Sequence, residues 1–252
     1  MSPLAAALWA VALWVTVMFA VSVTESIRPG ARTDIINLAA CQVLATSLVV
    51  FAMLRWHAPE LPMRQLVGMR PIAPLHVIFS VAAGAGLFPL LSTLDDIILR
   101  RWPIQEADAA DSIHRLLTSS SRTSLVLAAF VAVPIAQELF FRGILYGGVR
   151  ATVNVRAAIV ATSVFYACSY LEPQQMPRAL LLGLALAWLR ERTGTVVAPV
   201  LAQLAYGAVV GIPILRGQDP EADVTFPVKW IAGGAVIAAL ALAAVAVRRR
   251  PA

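Results

Sequence analysis

Long apolar runs are the feature that most constrains what this chain can fold into. Of its 252 residues, 60% are hydrophobic and only 13% are charged. A helix of about 20 apolar residues crosses the roughly 30 Å hydrocarbon core of a bilayer. Inside that core the backbone must satisfy its own hydrogen bonds, which favours helices. The ten-residue apolar–polar alternation of a membrane β-barrel does not occur in the sequence. The chain is therefore predicted to be an all-α, polytopic membrane helical bundle.

The apolar runs predict about eight transmembrane helices within a single membrane domain, residues 1–252. The fifth and sixth runs are short and contain or adjoin Ser169, Arg178 and Arg190, so we expect them to be buried among other helices or to end near an interface. No internal repeat or linker divides the chain. The predicted spans are residues 4–23, 35–54, 75–94, 124–148, 157–171, 179–190, 195–215 and 228–247.

Two longer connectors are predicted, at residues 55–73 and 95–122. In the second, Ile113, Leu116 and Leu117 recur at i, i+3 and i+4. This spacing is consistent with an amphipathic helix on the membrane surface. A solvated loop is the other interpretation, and the sequence leaves both open.

Basic residues give a weak indication of orientation. The net charge is +6, and with eight spans ten basic residues lie on the side of the termini and nine on the other. Arg248–Arg250 follow the last span directly, which favours two cytoplasmic termini in a bacterial inner membrane. Such a cluster suits anionic membrane lipids as partners. Because the charges are spread over the predicted membrane edges, no nucleic-acid partner is expected.

The fourth predicted span carries two charged residues at membrane depth. Glu138 and Arg142 are four residues apart with the acid first, the favourable order on a helix. Charges at this depth are costly, so the two side chains should pair and face the protein interior. An intramembrane active site and a structural ion pair that fixes helix packing are both consistent with this pattern.

Around this pair the sequence resembles the CPBP (Abi, CAAX protease-like) intramembrane proteases, which include the type II CAAX prenyl endopeptidases. The first motif of that family is Glu-Glu-x-x-x-Arg within a pattern similar to P-x-x-E-E-x-x-F-R-G. The matching residues here are Pro134, Gln137, Glu138, Phe141, Arg142 and Gly143.

Two further motifs of the family follow in order. Its Phe-x-x-x-His motif corresponds to Phe165 and Ser169. Its E-R-T-G-S-x-x-x-P-x-x-x-H stretch, with an Asn four residues later, corresponds to Glu191–Pro199, then Gln203 and Gly207. The resemblance covers a core of roughly residues 124–215.

The departures from the family pattern fall on its reaction centre. In the family the first Glu activates a water, and the two His and the Asn hold that water or stabilise the oxyanion. The resemblance places these roles on Gln137, Ser169, Gln203 and Gly207. An amide cannot accept a proton at neutral pH, and neither Ser nor Gln offers an imidazole. Glu138 is then the one remaining candidate for a catalytic base.

The other titratable residues do not suggest a replacement site. The three histidines, His57, His76 and His114, all precede the family-like core, and a packing or interfacial role is favoured for His76. The sequence contains no H-E-x-x-H motif. Neither a metal site nor a cofactor is predicted.

Two functional hypotheses of different class follow. In the first, the chain is a degenerate, inactive homologue that acts as a binding, scaffolding or regulatory subunit with an unidentified membrane-protein partner. In the second, it is an active CAAX-type endopeptidase that uses Glu138, assisted by Ser169. Both hypotheses predict that Gln137, Glu138, Ser169 and Gln203 converge on one intramembrane cavity.

Overall fold

A computed structural model describes residues 1–57, 67–103, 120–170, 172–218 and 226–247. These residues form eight helices, with short 3₁₀ turns at Ala31–Thr33 and Pro173–Gln175 and no strand among them. The predicted all-α class is confirmed. The helices are α1 Pro3–Ile27, α2 Ile35–His57, α3 Pro74–Arg101, α4 Arg122–Arg150, α5 Val155–Cys168, α6 Met176–Thr193, α7 Val197–Leu215 and α8 Val228–Val247.

Six of the eight helices are long and apolar enough to cross a membrane: α1 to α4, α7 and α8. The two others correspond to the short fifth and sixth predicted spans. Helix α5 has 14 residues and is about 21 Å long, less than the hydrocarbon thickness. Helix α6 has 18 residues, but its last turns carry Arg190 and Arg192. These two helices pack against each other.

Several predicted spans end three to seven residues away from the end of the corresponding helix, and α2 and α3 are two examples. Helix α2 continues to His57 and α3 to Arg101, so Arg55 and Asp95 lie in helices and not in connectors. In both cases basic residues occupy the last turn, where a positive charge complements the helix dipole. The surface helix considered around Leu116 lies outside the described residues, as does the cluster at 248–250.

Helix α4 is irregular in two places. It is π-helical at Ala128–Ala132 and again at Leu139–Leu145. The second π-helical segment contains Arg142, whose carbonyl accepts a hydrogen bond from Arg190 Nε of α6 at 2.9 Å. Single π-helical turns often occur at functional sites because they change the direction of side chains along a helix.

Close backbone contact brings α3 and α7 together. A Cβ atom on Gly84 would lie 1.8 Å from the carbonyl oxygen of Ala202, so only glycine fits there. Small residues at such crossings let membrane helices approach closely. This contact fixes the part of α7 that carries Gln203, the residue after Ala202.

Candidate functional site

The guanidinium of Arg142 lies at the centre of the family-like segment. Arg142 and Glu138 are both fully buried, and Arg142 Nη1 lies 2.7 Å from Glu138 Oε1. Arg142 Nη2 donates to the Gly183 carbonyl of α6 at 3.2 Å. The guanidinium carbon also lies 4.2 Å from the ring centroid of Tyr166 of α5, within cation–π range. One side chain thereby links α4, α5 and α6.

Glu138 is held away from any open space. Its Oε1 accepts from Arg142, and within the described residues its Oε2 has no hydrogen-bond partner. A carboxylate with no solvent contact, already bound to a guanidinium, is poorly placed to accept a proton from a water attacking a peptide. We call Glu138 and Arg142 the buried ion pair.

Gln137 faces in a different direction from its neighbour Glu138. Adjacent residues on a helix point about 100° apart. Gln137 lines a small cavity of about 90 Å³, to which Ser169, directly after α5, and Gln42 of α2 also contribute. Trp14 of α1 also lines the cavity. The Ser169 hydroxyl itself donates to the Tyr166 carbonyl at 2.7 Å.

Gln203 of α7 joins Gln137 to Tyr166. Its Nε2 donates to Gln137 Oε1 at 3.3 Å and to the Tyr166 hydroxyl at 3.2 Å. The Tyr166 hydroxyl in turn lies 3.0 Å from that of Tyr170. The groups brought together are amides and hydroxyls, which can hold a polar ligand by hydrogen bonds but carry no charge. We call Gln137, Ser169 and Gln203 the neutral cluster.

Gly207 does not take part in this cluster. It is buried on α7, and a Cβ atom there would lie 3.1 Å from Cβ and Cδ1 of Phe130. The Phe130 side chain, from the first π-helical segment of α4, therefore fills the space beside Gly207. Of the predicted site residues, Gln137 and Ser169 share a cavity and Gln203 bonds to Gln137, whereas Glu138 and Gly207 lie elsewhere.

The Glu191–Pro199 segment connects α6 to α7 and contacts the chain before α3. We call this segment the joint. Thr195 Oγ1 donates to the Arg70 carbonyl at 2.8 Å, and the Tyr146 hydroxyl donates to Glu191 Oε2 at 2.7 Å. Gly68 has a φ of +72°, and a Cβ there would lie 2.0 Å from Arg190 Nη2. Because Arg190 also bonds the Arg142 carbonyl, this joint supports the π-helical segment that carries the buried ion pair.

Sequence reasoning missed several residues of the site. Tyr166 contacts both the buried ion pair and the neutral cluster, and its place directly after Phe165 was the available signal. Gln42 is a polar residue in an apolar run, which by itself marks an inward-facing position. The ion pair between Arg178 Nε and Asp95 Oδ2, at 2.7 Å, joins α6 to α3. No sequence pattern connects those two positions.

The two histidines that the structure describes take no part in the neutral cluster. His57 Nε2 accepts from Trp9 Nε1 at 2.9 Å, and His76 is buried in α3. His114 lies outside the described residues. Across the part of the chain that the structure describes, no group of three His, Cys, Asp or Glu side chains could hold a metal ion. The neutral cluster contains no carboxylate, imidazole or thiolate, the side chains that supply most metal ligands in proteins.

Comparison with known proteins gives one match. No curated protein matches the chain, and no solved structure does. A family model described as "Type II CAAX prenyl endopeptidase Rce1-like" matches residues 119–209. That segment runs from the residues just before α4 into α7 and contains the buried ion pair, the neutral cluster and the joint. Over residues 119–209, the resemblance of this chain to the CAAX protease-like family is confirmed, and the matching family is that of the Rce1-like type II CAAX prenyl endopeptidases.

Proposed function

We propose that this membrane protein is a catalytically degenerate homologue of CAAX-type intramembrane proteases that acts as a binding, scaffolding or regulatory subunit. The observation that carries the proposal is the chemistry of the neutral cluster. Where the family has a glutamate and two histidines, this chain has Gln137, Ser169 and Gln203, whose amides and hydroxyl supply no base at neutral pH.

The cost of these replacements to catalysis would be large. A positioned general base contributes about 10²–10⁴-fold to a rate, and an oxyanion-hole donor about 10²–10³-fold. Gln137 removes the base and Gly207 removes an oxyanion donor, although such losses are not additive. Glu138 does not compensate, because its carboxylate is fully buried against Arg142. Hydrogen bonding of a partner is the chemistry that the neutral cluster retains.

A peptide-cleavage time course tests the loss of activity. We expect no product from prenylated CAAX peptides with the purified wild-type protein or with Gln137→Glu alone. The matched variant is Glu138→Ala, with folding checked by thermal melting. Cleavage by the wild type that disappears in Glu138→Ala would establish the alternative function, an active endopeptidase with Glu138 as its base.

Restoration of all four family residues sharpens this test. The variant combines Gln137→Glu, Ser169→His, Gln203→His and Gly207→Asn. Because Phe130 fills the space beside Gly207, a second version adds Phe130→Ala. We expect any recovered cleavage to require the added Phe130→Ala. Equal cleavage by both versions would show that Phe130 does not obstruct the site.

The proposal places residues 1–252 in one domain of the bacterial inner membrane with both termini in the cytoplasm. In support, the Met1 amino group donates to the Gly148 carbonyl at 3.0 Å, which puts the N-terminus beside the Arg150 end of α4. Arg248–Arg250 add positive charge after the last helix. We expect a cysteine placed at either terminus to resist membrane-impermeant thiol reagents in intact cells. Labelling of both termini would reverse the orientation.

A membrane-protein partner is the remaining part of the proposal. Cross-linking in intact membranes, followed by purification in mild detergent, should recover one partner in stoichiometric amount. Gln42→Ala together with Gln137→Ala removes amides that line the 90 Å³ cavity and should reduce that recovery if the cavity takes part in binding. Recovery of the chain alone, with no stoichiometric partner, would contradict a subunit role.

A further inference from the structure

A groove of about 790 Å³ lies on the surface between α3, α7 and α8 and shares no lining residue with the neutral cluster. Trp230 and Ile237 on its rim are 62% and 51% exposed. We call it the α3–α8 groove. Its apolar lining includes Ala82, Gly86, Pro89, Trp230, Gly233 and Ile237.

Glycines give the groove its depth. At its floor Gly86 and Gly234 are in reciprocal contact: a Cβ on either would lie 2.7 Å from the carbonyl oxygen of the other. Beside this crossing, a Cβ on Gly233 would have nothing within 4 Å, so the space above it is open. From Lys229 to Ile237 the groove follows α8 for about 12 Å. An extended hydrocarbon chain fits an apolar channel of that form.

One end of the groove carries a positive charge. Lys229, in the first turn of α8, is the only charged residue among the described residues that line it. The first turn of a helix also presents backbone N–H groups without intrahelical partners and favours anions. The neighbouring Trp230 is an exposed aromatic residue of the kind enriched at the level of lipid headgroups.

A second groove of the same protein provides a contrast. It lies between α2 and α4, has a volume of about 670 Å³, and is lined by residues that include Val43, Ser47, Ile135 and Leu139. No charged side chain occurs among the described residues that line it. An acyl chain could fill either groove. Of the two, only the α3–α8 groove also has a positive charge, that of Lys229, at one end.

We infer that the α3–α8 groove binds one phospholipid with an anionic headgroup. An acyl chain lies along α8 over Gly233, and the headgroup phosphate contacts the Lys229 ammonium. The interaction is charge-complementary at the headgroup and apolar along the chain. A single basic residue near an anionic lipid typically contributes about a five-fold preference in binding.

Native mass spectrometry of the purified protein tests whether the charge of Lys229 selects an anionic headgroup. The first bound lipid is titrated with phosphatidylglycerol and with phosphatidylcholine that carry identical acyl chains. We expect the wild type to prefer phosphatidylglycerol about five-fold. Lys229→Gln should abolish the preference, and Arg216→Gln, which removes an exposed cation at the end of α7 outside the groove, should retain it. Preference that survives in Lys229→Gln, or that is absent from the wild type, overturns the inference.

A variant that fills the groove tests whether an acyl chain binds there. Gly233→Trp places a large side chain in open space, and Ser47→Trp places the same side chain in the exposed wall of the second groove. We expect Gly233→Trp to lose the first phosphatidylglycerol and Ser47→Trp to keep it. Unchanged binding in Gly233→Trp, or equal loss in both, overturns the assignment. Melting curves identify a variant that fails to fold, and the Lys229→Gln comparison then decides alone.

Discussion

The buried ion pair and the neutral cluster begin at adjacent residues of α4, yet they obey different physical constraints. Glu138 and Arg142 match the family pattern, and each would leave a fully buried charge if the other were removed. Gln137 and Gln203 depart from the pattern, and their amides leave no charge when their contact is lost. The comparison teaches that neighbouring positions on one helix can differ in kind: loss of one partner leaves a buried charge at the first region and only a missing hydrogen bond at the second.

The largest expected effect is the loss of Arg142. Arg142→Ala leaves Glu138 charged and buried without its partner, and we expect the free energy of unfolding to fall by about 3–5 kcal/mol. The same variant removes the hydrogen bond to the Gly183 carbonyl. Thermal melting and expression in membranes measure the loss.

A double variant separates lost charge pairing from lost packing. Replacement of both partners, with Glu138→Leu and Arg142→Met, should restore much of the stability, because an apolar pair of similar volume leaves no buried charge. Arg150→Ala is the control, since that side chain is 40% exposed and its ion pair with Glu191 should contribute about 0–1 kcal/mol. Melting of Arg142→Ala at the wild-type temperature would contradict the pairing.

The next effect concerns Gly68, which lies against Arg190, the residue directly before the joint. Gly68→Ala forces a positive φ on a residue with a side chain, and because its Cβ would lie 2.0 Å from Arg190 Nη2, the guanidinium that bonds the Arg142 carbonyl must move. Gly30→Ala shares the positive φ, at +89°, but has nothing within 4 Å. We expect Gly30→Ala to cost about 1–2 kcal/mol, and Gly68→Ala about 1–3 kcal/mol more. Equal melting temperatures of the two variants would show that Arg190 moves aside without consequence.

Much of this arrangement was predictable from the sequence, because strong physical rules apply to apolar runs and buried charges. The run lengths predicted about eight transmembrane helices, and the described residues form eight helices, six of which are long and apolar enough to cross a membrane. The ends of α2 and α3 were not predictable, since Arg55 and Asp95 read as connector residues although they continue their helices. Asp95 is accommodated within α3 because Arg178 of α6, distant in sequence, pairs with it.

The sequence predicted which residues of the candidate site come near one another, but not the directions in which their side chains point. The motif spacing brought Gln137, Ser169 and Gln203 to one region, whereas Glu138, expected in the same cavity, does not line it. Gly207, which the family resemblance assigned to the reaction centre, lies beside Phe130. The π-helical segments of α4 alter the directions of its side chains. No residue pattern in the sequence predicts these segments. Likewise, Phe130 occupies the space beside Gly207 through a contact between distant residues.

The smallest expected effect is the truncation of the neutral cluster. Gln137→Ala removes one hydrogen bond of 3.3 Å to Gln203, whose Nε2 keeps its bond to the Tyr166 hydroxyl. A net loss of about 1 kcal/mol follows, because a neutral hydrogen bond contributes that much. Gln42→Ala is the control, since Gln42 lines the same cavity but its Nε2 makes only a marginal contact of 3.5 Å with Thr46 Oγ1. Gln42→Ala should therefore melt close to the wild type and Gln137→Ala slightly below it, and both should melt well above Arg142→Ala. A loss of stability in Gln137→Ala as large as that in Arg142→Ala would mean that the hydrogen bond between the amides, and not the ion pair, holds α4 against its neighbours. The neutral cluster would then be the more important of the two regions for stability.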